Sequence, residues 1–352
     1  MHRRFPAFAA VLISLALLPV PSRAEEVVVA EPSDDSRVYS VRCRLKVEGE
    51  IQTAATAQPA EKLKLDVDGK LSFLERRLPR GGQGPLALRS LRFYEVAEAD
   101  IDVAGRKSTR RLADKLRTVV CEGQIDGVRC WSTGGRMTND AIELLRTPGD
   151  NLALLGLLPT STVEAGTEWQ PDKWVLALLT GVEAVSKSQL KCRAEKIDEN
   201  FVIIHFDGNI EGAILGALTK IAVKGQLAWD RKKGHVRQAK VTQTEERAVG
   251  AVSPGMKVTA TMYVDRQVSG VSGPLTREAI ESVPINAEPK HLALTFDSPW
   301  NLQFAFGRNW HIFHQTPEVA VLRLVEAGSL ISQCNVSKVP SAAPGQHTPE
   351  QQ

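Results

Sequence analysis

The stretch that most constrains the fold is residues 201–247, which reads as three consecutive β-strands. Its segments FVIIHFDGNIEGAI, LTKIAVKGQLAWD and HVRQAKVTQTEER alternate apolar and polar residues, and turn-forming residues separate them. Alternation with a period of two buries one face of a strand and leaves the other in water. A meander of this kind needs a partner sheet or a helix over its apolar face, and the rest of the chain supplies both.

Further strands are predicted on both sides of the meander, because the same alternation recurs there. They lie at residues 39–47, 62–74, 88–103, 107–121, 128–132, 188–194 and 256–268. The segment 62–74 also contains a predicted turn at 66–69. Together these strands predict an α+β, mainly β domain at 37–268, built on a large curved antiparallel sheet that resembles a half-barrel.

Between the two groups of strands the spacing becomes helical, near 139–158 and 172–180. Thr138 is a helix-capping residue, and Leu152–Leu158 is almost entirely apolar, so this helix must be buried inside the curve of the sheet. Two or three crossover helices are therefore predicted. If the curve holds a ligand, the residues expected to line its apolar pocket are Leu152, Leu155, Leu158, Trp169 and Trp174. The alternative is that they are core residues only.

The first 24 residues have the composition of a signal peptide, with Arg3 and Arg4 before an apolar stretch and Ala24 at the expected cleavage site. This predicts a periplasmic or secreted protein with no stable membrane span after cleavage. Residues 25–36 are acidic and predicted to be a disordered lead-in. The chain has 44 Lys and Arg against 41 Asp and Glu, and three of the arginines lie in the leader. A neutral mature chain without a basic patch argues against nucleic acid as a partner.

Export permits disulfides. Cys121 and Cys130 flank a short predicted turn that would place them opposite one another, so this pair is the candidate disulfide. Cys43 and Cys192 fall on the apolar phase of their strands, where buried thiols and a bridge between them are both open. Cys334 is left over, and no C-x-x-C spacing indicates a redox centre.

Residues 269–289 are rich in Gly, Ser and Pro and are predicted to be a linker. Short strands follow in residues 290–352. Near the end, Thr348 and Pro349 form the start of a capped helix, which predicts that this last domain is truncated.

Residues 290–352 resemble the first half of PsbP-like domains. The residues that carry the resemblance are Phe304, Phe306, Trp310 and Asn335-Val336-Ser337. The resemblance implies a partial α/β module of a non-enzymatic binding or assembly class. The body of the chain resembles LolA-type lipoprotein carriers in architecture, without a shared motif, and this implies a cavity for a hydrophobic ligand.

Catalytic signatures are absent from the sequence: it contains no GxGxxG, GxxxxGK[ST], HExxH or GxSxG pattern. His311 and His314 are the closest histidine pair, but residues i and i+3 of a strand point to opposite faces. No catalytic residue, metal site or cofactor is therefore predicted. The leading hypothesis is an exported, non-catalytic binding or assembly protein that holds a lipid or another apolar small molecule. The alternatives are an envelope-associated enzyme with its catalytic groups in a missing C-terminal part, and a structural module that docks to an envelope protein.

Overall fold

The structure is a computed structural model that describes residues 25–53, 61–298, 300, 302–338 and 345. The predicted signal peptide (1–24) and the predicted helix start at Thr348 lie outside these residues. Within the described part, thirteen strands form one antiparallel sheet and five more form two small sheets. The predicted fold class, α+β and mainly β with a large antiparallel sheet, is confirmed.

The large sheet consists of two meanders that lie side by side. Its strands are β1 (Val38–Gln52), β2 (Lys62–Arg77), β3 (Arg89–Val103), β4 (Arg106–Arg111), β5 (Thr118–Gln124), β6 (Gly127–Ser132), β7 (Glu168–Trp169), β8 (Ala184–Ser188), β9 (Lys191–Ile197), β10 (Phe201–Ile214), β11 (Ala217–Asp230), β12 (His235–Arg247) and β13 (Gly255–Val268). Their order is β6-β5-β3-β2-β1-β13-β12-β11-β10-β9-β7, with β4 beside β3 and β8 beside β10.

The predicted three-strand meander is confirmed as β10, β11 and β12, which pair in sequence along nearly their whole lengths. The loop between β10 and β11 has only two residues, Leu215 and Gly216, with φ of 49° and 78°. Two positive φ values in a two-residue loop match the twist of the flanking strands. The local turn therefore fixes the register of this hairpin.

The first meander differs from the prediction in two places. The turn predicted at 66–69 is wrong, because β2 continues through it and Gly69 stands opposite Leu45 in the ladder. The single strand predicted at 107–121 is also wrong. Leu112 and Leu116 are buried between β4 and β5, and the chain reverses there. As a result, β4 pairs with one half of β3 and β5 pairs with the other half.

The two meanders are joined where β1 pairs with β13, from Tyr39 opposite Val268 to Gln52 opposite Gly255. β1 and β13 are the first and the last strand of this sheet in chain order, and no local sequence pattern predicts that they pair. The long ladder makes one continuous sheet out of the two halves.

Three helices cover one face of this sheet, which we call the inner face; the other is the outer face. They are α1 (Asn139–Leu145), α2 (Asn151–Gly156) and α3 (Lys173–Thr180). The Thr138 hydroxyl accepts a hydrogen bond from the Ala141 amide (3.1 Å), so the predicted cap is present. Most apolar residues of the three helices are buried in the main core against the inner face, and the others pack against it half-buried.

Residues 25–36, predicted to be disordered, are packed onto the inner face. Val29 is buried in the main core, and Val27 forms a backbone bridge with Val163, whose carbonyl accepts from the Val27 amide at 2.8 Å. Glu31 is completely buried. The acidic composition that indicated disorder is tolerated here because arginines neutralise Glu31.

Residues 269–292, which include the segment predicted as a linker, form what we call the outer-face strap. The strap contains α4 (Arg277–Glu281) and α5 (Pro289–Leu292). Leu275 is fully buried, in one apolar cluster with Leu91, Val120 and Trp131 of the sheet. From Leu275 to Leu292 the segment is therefore packed against the outer face, while residues 270–274 are exposed.

The last part of the chain forms two small antiparallel sheets. Their strands are β14 (Leu294–Asp297), β15 (Gln303–Phe306), β16 (Trp310–Gln315), β17 (Val319–Glu326) and β18 (Ser329–Ser337). His291 stacks on Trp131 with ring centroids 5.0 Å apart, and the Arg308 guanidinium donates to the Cys130 carbonyl at 2.7 Å. These contacts attach the C-terminal sheets to the edge of the large sheet at β6.

All five cysteines are free thiols, so the predicted Cys121–Cys130 disulfide is not found. The two residues do stand directly opposite one another in the β5–β6 ladder, as the spacing predicted. Cys43 and Cys192 are buried on the inner face, whereas Cys334 is exposed. None of the helices in the described part of the chain is long and apolar enough to cross a membrane.

Candidate ligand-binding site on the inner face

The central strands carry a strip of apolar side chains on the inner face, which we call the apolar floor. It consists of Leu45, Val47, Ile51, Leu63, Leu65, Val67, Ile101, Val103, Met256, Val258, Ala260 and Met262. Most of these side chains are half-buried, in contrast to the fully buried residues that pack under the helices. The floor is thus the part of the inner face that the protein itself covers least.

The ladder register aligns the floor into rows across four strands. Val47 lies opposite Ala260 on one side and Val67 on the other, and Val67 lies opposite Ile101. In the next row but one, Ile51 lies opposite both Met256 and Leu63. Cross-strand neighbours lie within about 5.5 Å of each other, so the rows form one continuous apolar surface.

Two glycines leave positions in the middle of the floor without a side chain. Gly49 separates Leu65 from Val258, and a side chain there would collide with the Lys257 carbonyl oxygen, 2.2 Å from the position of a Cβ. At Gly69 a Cβ would lie 3.2 Å from the Cβ of Leu45. Both positions therefore lack a side chain for local steric reasons. As a result, the surface of the floor is lower at these two glycines than at its larger residues.

A cavity lies at each end of the floor. A cavity of about 100 Å³ separates Leu45, Val67 and Ile101 from Leu144 of α1. A second cavity, of about 550 Å³, is lined by Ile51 of the last row together with charged residues from the ends of the strands. Ligand pockets typically measure about 300–1,000 Å³, so the second cavity has the size that a small molecule requires.

The charges around the larger cavity are paired with one another. Lys257 and Glu246 form an ion pair at 2.6 Å, and Lys62 and Glu50 form another at 3.8 Å. These four side chains alternate with inner-face residues along their strands, so they lie on the outer-face side of the strand ends, whereas Ile51, Met256 and Arg247 line the cavity from the inner-face side. From Met256 to Met262 the floor is roughly 20 Å long, at about 3.4 Å per residue.

The five residues predicted to line a pocket lie under the helices and in the adjoining loop. Leu152 is fully buried, while Leu155, Leu158, Trp169 and Trp174 are half-buried and pack against the main core. Both indoles are satisfied locally: Trp169 Nε1 donates to the Leu157 carbonyl and Trp174 Nε1 to the Asp172 carboxylate, each at 3.1 Å. The structure brings the five into one core, but none of them lines either cavity.

A buried ionic cluster lies beyond the floor on the same face, and sequence reasoning missed it. It contains three arginines and three carboxylates: Arg77, Arg92, Arg266, Glu31, Glu75 and Asp150. The sequence does contain an indication of this cluster, because Glu75 and Arg77 continue the buried, apolar phase of Leu71 and Phe73 in β2. A charged residue on the buried phase of a strand indicates a buried partner.

The contacts within this cluster are short. The Arg92 guanidinium donates to Asp150 at 2.7 and 2.8 Å and to Glu75 at 3.0 Å. Arg266 donates to Glu31 at 2.9 Å. Burial alone would raise the pKa of Glu31, but the charges of Arg266 and Arg77 and the hydrogen bond from the Val236 amide lower it to about 2. The cluster is therefore ionised, neutral in sum and fixed in geometry.

The buried thiols on this face are unreactive. Burial raises the pKa of the Cys43 thiol to about 12, as it does for Cys192, so neither is a nucleophile near neutral pH. Among the described residues, no group of three or more His, Cys, Asp or Glu side chains is arranged to hold a metal ion. The chemistry that this arrangement supports best is binding.

Comparisons with known proteins give little to compare. No family model matches the chain, and no curated protein is similar to it. Among solved structures it is similar to a chain described as "lipid-protein interactions in lipovitellin", with 10% sequence identity and a TM-score of 0.34. The match covers 68% of this chain and 26% of that one. A likeness at this level carries no conclusion about function, and the resemblances to PsbP-like domains and LolA-type carriers stay predictions.

Proposed function

We propose that the protein is an exported, non-catalytic binding protein that holds a lipid or another apolar small molecule against the apolar floor. The observation that carries this proposal is the register: rows of apolar side chains cross four strands and stay half-exposed between two cavities. Apolar surface left uncovered in a concave site is typical of ligand-binding pockets.

A single acyl chain is the ligand that fits these dimensions. One leaflet occupies half of the roughly 30 Å hydrocarbon core of a bilayer, so the floor of roughly 20 Å is long enough for one extended chain. Arg247, which lines the larger cavity from the inner-face side, is suited to hold a polar headgroup at the end of the floor.

The test is titration of the purified protein with a dansyl-labelled fatty acid, followed by fluorescence. Val67→Trp fills the small cavity beside the floor. If it excludes about two methylenes at about 0.8 kcal/mol each, affinity falls about tenfold. Thr259→Trp, on the outer face of β13, is the control and should bind like the wild type. Absence of saturable binding by the wild type, or an equal loss in the control, would refute the proposal.

A second candidate function, docking through the C-terminal sheet, is favoured by β18. This strand contains no charged residue, and among the described strands it pairs only with β17. Its Leu330 and Ile331 are 47% and 56% exposed. Natural edge strands usually carry charges that block pairing with another chain, so a second copy of this strand is the partner we consider.

Sedimentation velocity tests this second candidate. The expected result is a concentration-dependent dimer that Ile331→Lys dissociates, whereas Val271→Lys, at an exposed position in the strap, leaves it intact. A monomer at all concentrations would exclude it.

A further inference from the structure

Three arginines converge on one buried carboxylate near the β6 edge of the large sheet. Glu122 of β5 lies on the same face as Val120, which packs under the outer-face strap. Its carboxylate accepts hydrogen bonds from Arg89 Nε at 3.0 Å and from Arg129 Nη2 at 2.9 Å, and Arg80 Nη2 lies 3.9 Å away. We call Arg80, Arg89 and Arg129 the outer-face arginine cluster.

The charges of this cluster do not balance. Glu122 is the only carboxylate in the described part of the chain that forms an ion pair with any of the three arginines. The three arginines and Glu122 together therefore carry a net charge of +2, whereas the ionic cluster on the inner face is neutral. Burial, and then the charges of Arg89 and Arg129, lower the pKa of Arg80 against the opposing effect of Glu122.

Hydrogen-bond donors of the cluster are also unused. Arg129 Nε is buried and has no hydrogen-bond partner among the described residues. Arg80 Nη1 donates to the Gly123 carbonyl at 2.9 Å, but its Nη2 is too far from Glu122 for a hydrogen bond. The side chains of Arg80 and Arg129 are 15% and 32% exposed, so a small solute can reach both.

We propose that the outer-face arginine cluster binds an oxyanion of the phosphate class, held between Arg80 and Arg129. Planar guanidinium groups match the oxygens of phosphate and donate two hydrogen bonds at once. A phosphate would supply the missing negative charge and accept from the unused donors, while Glu122 and Asn286, which accepts from Arg89 at 3.4 Å, hold Arg89 in place. The site is independent of the apolar floor because it lies on the opposite face.

Isothermal titration of the purified protein with inorganic phosphate, at constant ionic strength, tests this site. The expected result is saturable binding of one phosphate, weakened about tenfold or more by Arg80→Gln or Arg129→Gln, since a hydrogen bond to a charged group is lost. Arg237→Gln is the control: the Arg237 side chain is similarly exposed, at 23%, but has its own partner, Asp265, at 2.6 Å. No saturable binding by the wild type, or equal weakening in the control, would overturn the proposal.

Glu122→Gln provides a second test of the site in case an arginine variant fails to fold. Removing this charge leaves the cluster more positive, so phosphate should bind more tightly, which a purely structural role would not produce. Unchanged or weaker binding by folded Glu122→Gln would count against the site. Co-sedimentation with phosphatidic acid vesicles, against phosphatidylcholine vesicles, identifies the source. Binding of free phosphate alone indicates a soluble phosphate compound, whereas sedimentation as well indicates a lipid headgroup.

Discussion

At the scale of single residues, the buried ionic cluster ties four parts of the chain together. Glu31 belongs to the N-terminal segment, Arg77 to β2, Arg266 to β13 and Asp150 to the cap of α2. Removing one member of a buried ion pair leaves an uncompensated charge and costs about 3–5 kcal/mol. Each of these residues therefore specifies how its own segment joins the others.

Glu31→Gln should remove this contribution and alter the response to acid. Folding lowers the pKa of Glu31 from 4.5 to about 2, so its stabilisation is complete above about pH 4.5 and is lost as the pH falls toward 2. We expect the variant to be about 3–5 kcal/mol less stable at pH 7, with a difference that shrinks below pH 4.5. Urea unfolding between pH 7 and pH 3 measures this. Glu26→Gln, at an exposed position of the same segment, is the control, and a difference that does not vary with pH would contradict the assignment.

The thiols provide a second measurement at this scale. Four cysteines are buried and Cys334 is exposed, and burial protects thiols from reagents. We expect Ellman's reagent to react quickly with one thiol in the native protein and with five after unfolding without reductant. Three reactive thiols after unfolding would show that Cys121 and Cys130 are bridged. Cys334→Ser should abolish the fast native reaction.

Much of the residue-scale pattern could be predicted from the sequence. The alternation in β1 and β9 placed Cys43 and Cys192 on the buried face, where they lie. The five predicted ligand residues were chosen for bulk and apolarity, which core and pocket residues share. Whether Leu152 faces a ligand or another helix depends on what packs against it, and that information is not local.

At the scale of elements, glycines determine how closely segments approach β10. A Cβ at Gly208 would lie 2.5 Å from the Gln189 carbonyl oxygen and 2.6 Å from Leu190 Cα, and Gly212 meets the backbone of β8 in the same way. The missing side chains let the segment between α3 and β9 cross this strand. Gly208 and Gly212 lie four residues apart in the sequence, whereas the segment that packs against them could be found only from the fold.

Gly208→Ala should therefore force the crossing segment outward. We expect a loss of about 1–3 kcal/mol, the usual cost of overpacking, measured by urea unfolding. Gly81→Ala is the matched control, because a Cβ there meets nothing within 4 Å, and its effect should stay within about 0.5 kcal/mol. Similar stabilities of the two variants would show that the segment at residues 189–190 can move without cost.

The elements that were predicted correctly are those whose signals are local. The three strands of the meander have alternation, turn residues and hairpin pairing within one stretch of chain. The strand predicted at 107–121 failed because Leu112 and Leu116 continue an apolar pattern while the backbone turns a corner. A periodic apolar pattern indicates only which residues are buried. A buried turn can therefore have the same sequence pattern as a buried strand.

At the scale of the whole molecule, the outer-face strap makes the C-terminal sheets part of one packed body. Leu275→Asp should release it, because a buried carboxylate without a partner is strongly unfavourable. We expect trypsin to cleave the variant rapidly after Arg277, whose side chain is 82% exposed, and the wild type slowly because α4 is held against the sheet. Mass spectrometry of timed digests measures this.

Val271→Asp is the control for the strap, since Val271 is 70% exposed and its replacement should leave the cleavage rate unchanged. Equal rates for Leu275→Asp and the wild type would mean that the strap detaches readily without the substitution. The sequence alone indicated a linker here, because Gly, Ser and Pro are frequent both in flexible linkers and in irregular segments that pack.

The pairing of β1 with β13 has a consequence for how the chain can be made. The ladder joins residues 38–52 to residues 255–268, so a polypeptide that emerges from the ribosome or a translocon N-terminus first cannot close its central pair until the later strand has appeared. At about 5–20 residues per second, this delay is roughly 10–40 seconds. Throughout that interval one edge of β1 has no partner, and an unpaired strand edge is a template for pairing with another chain.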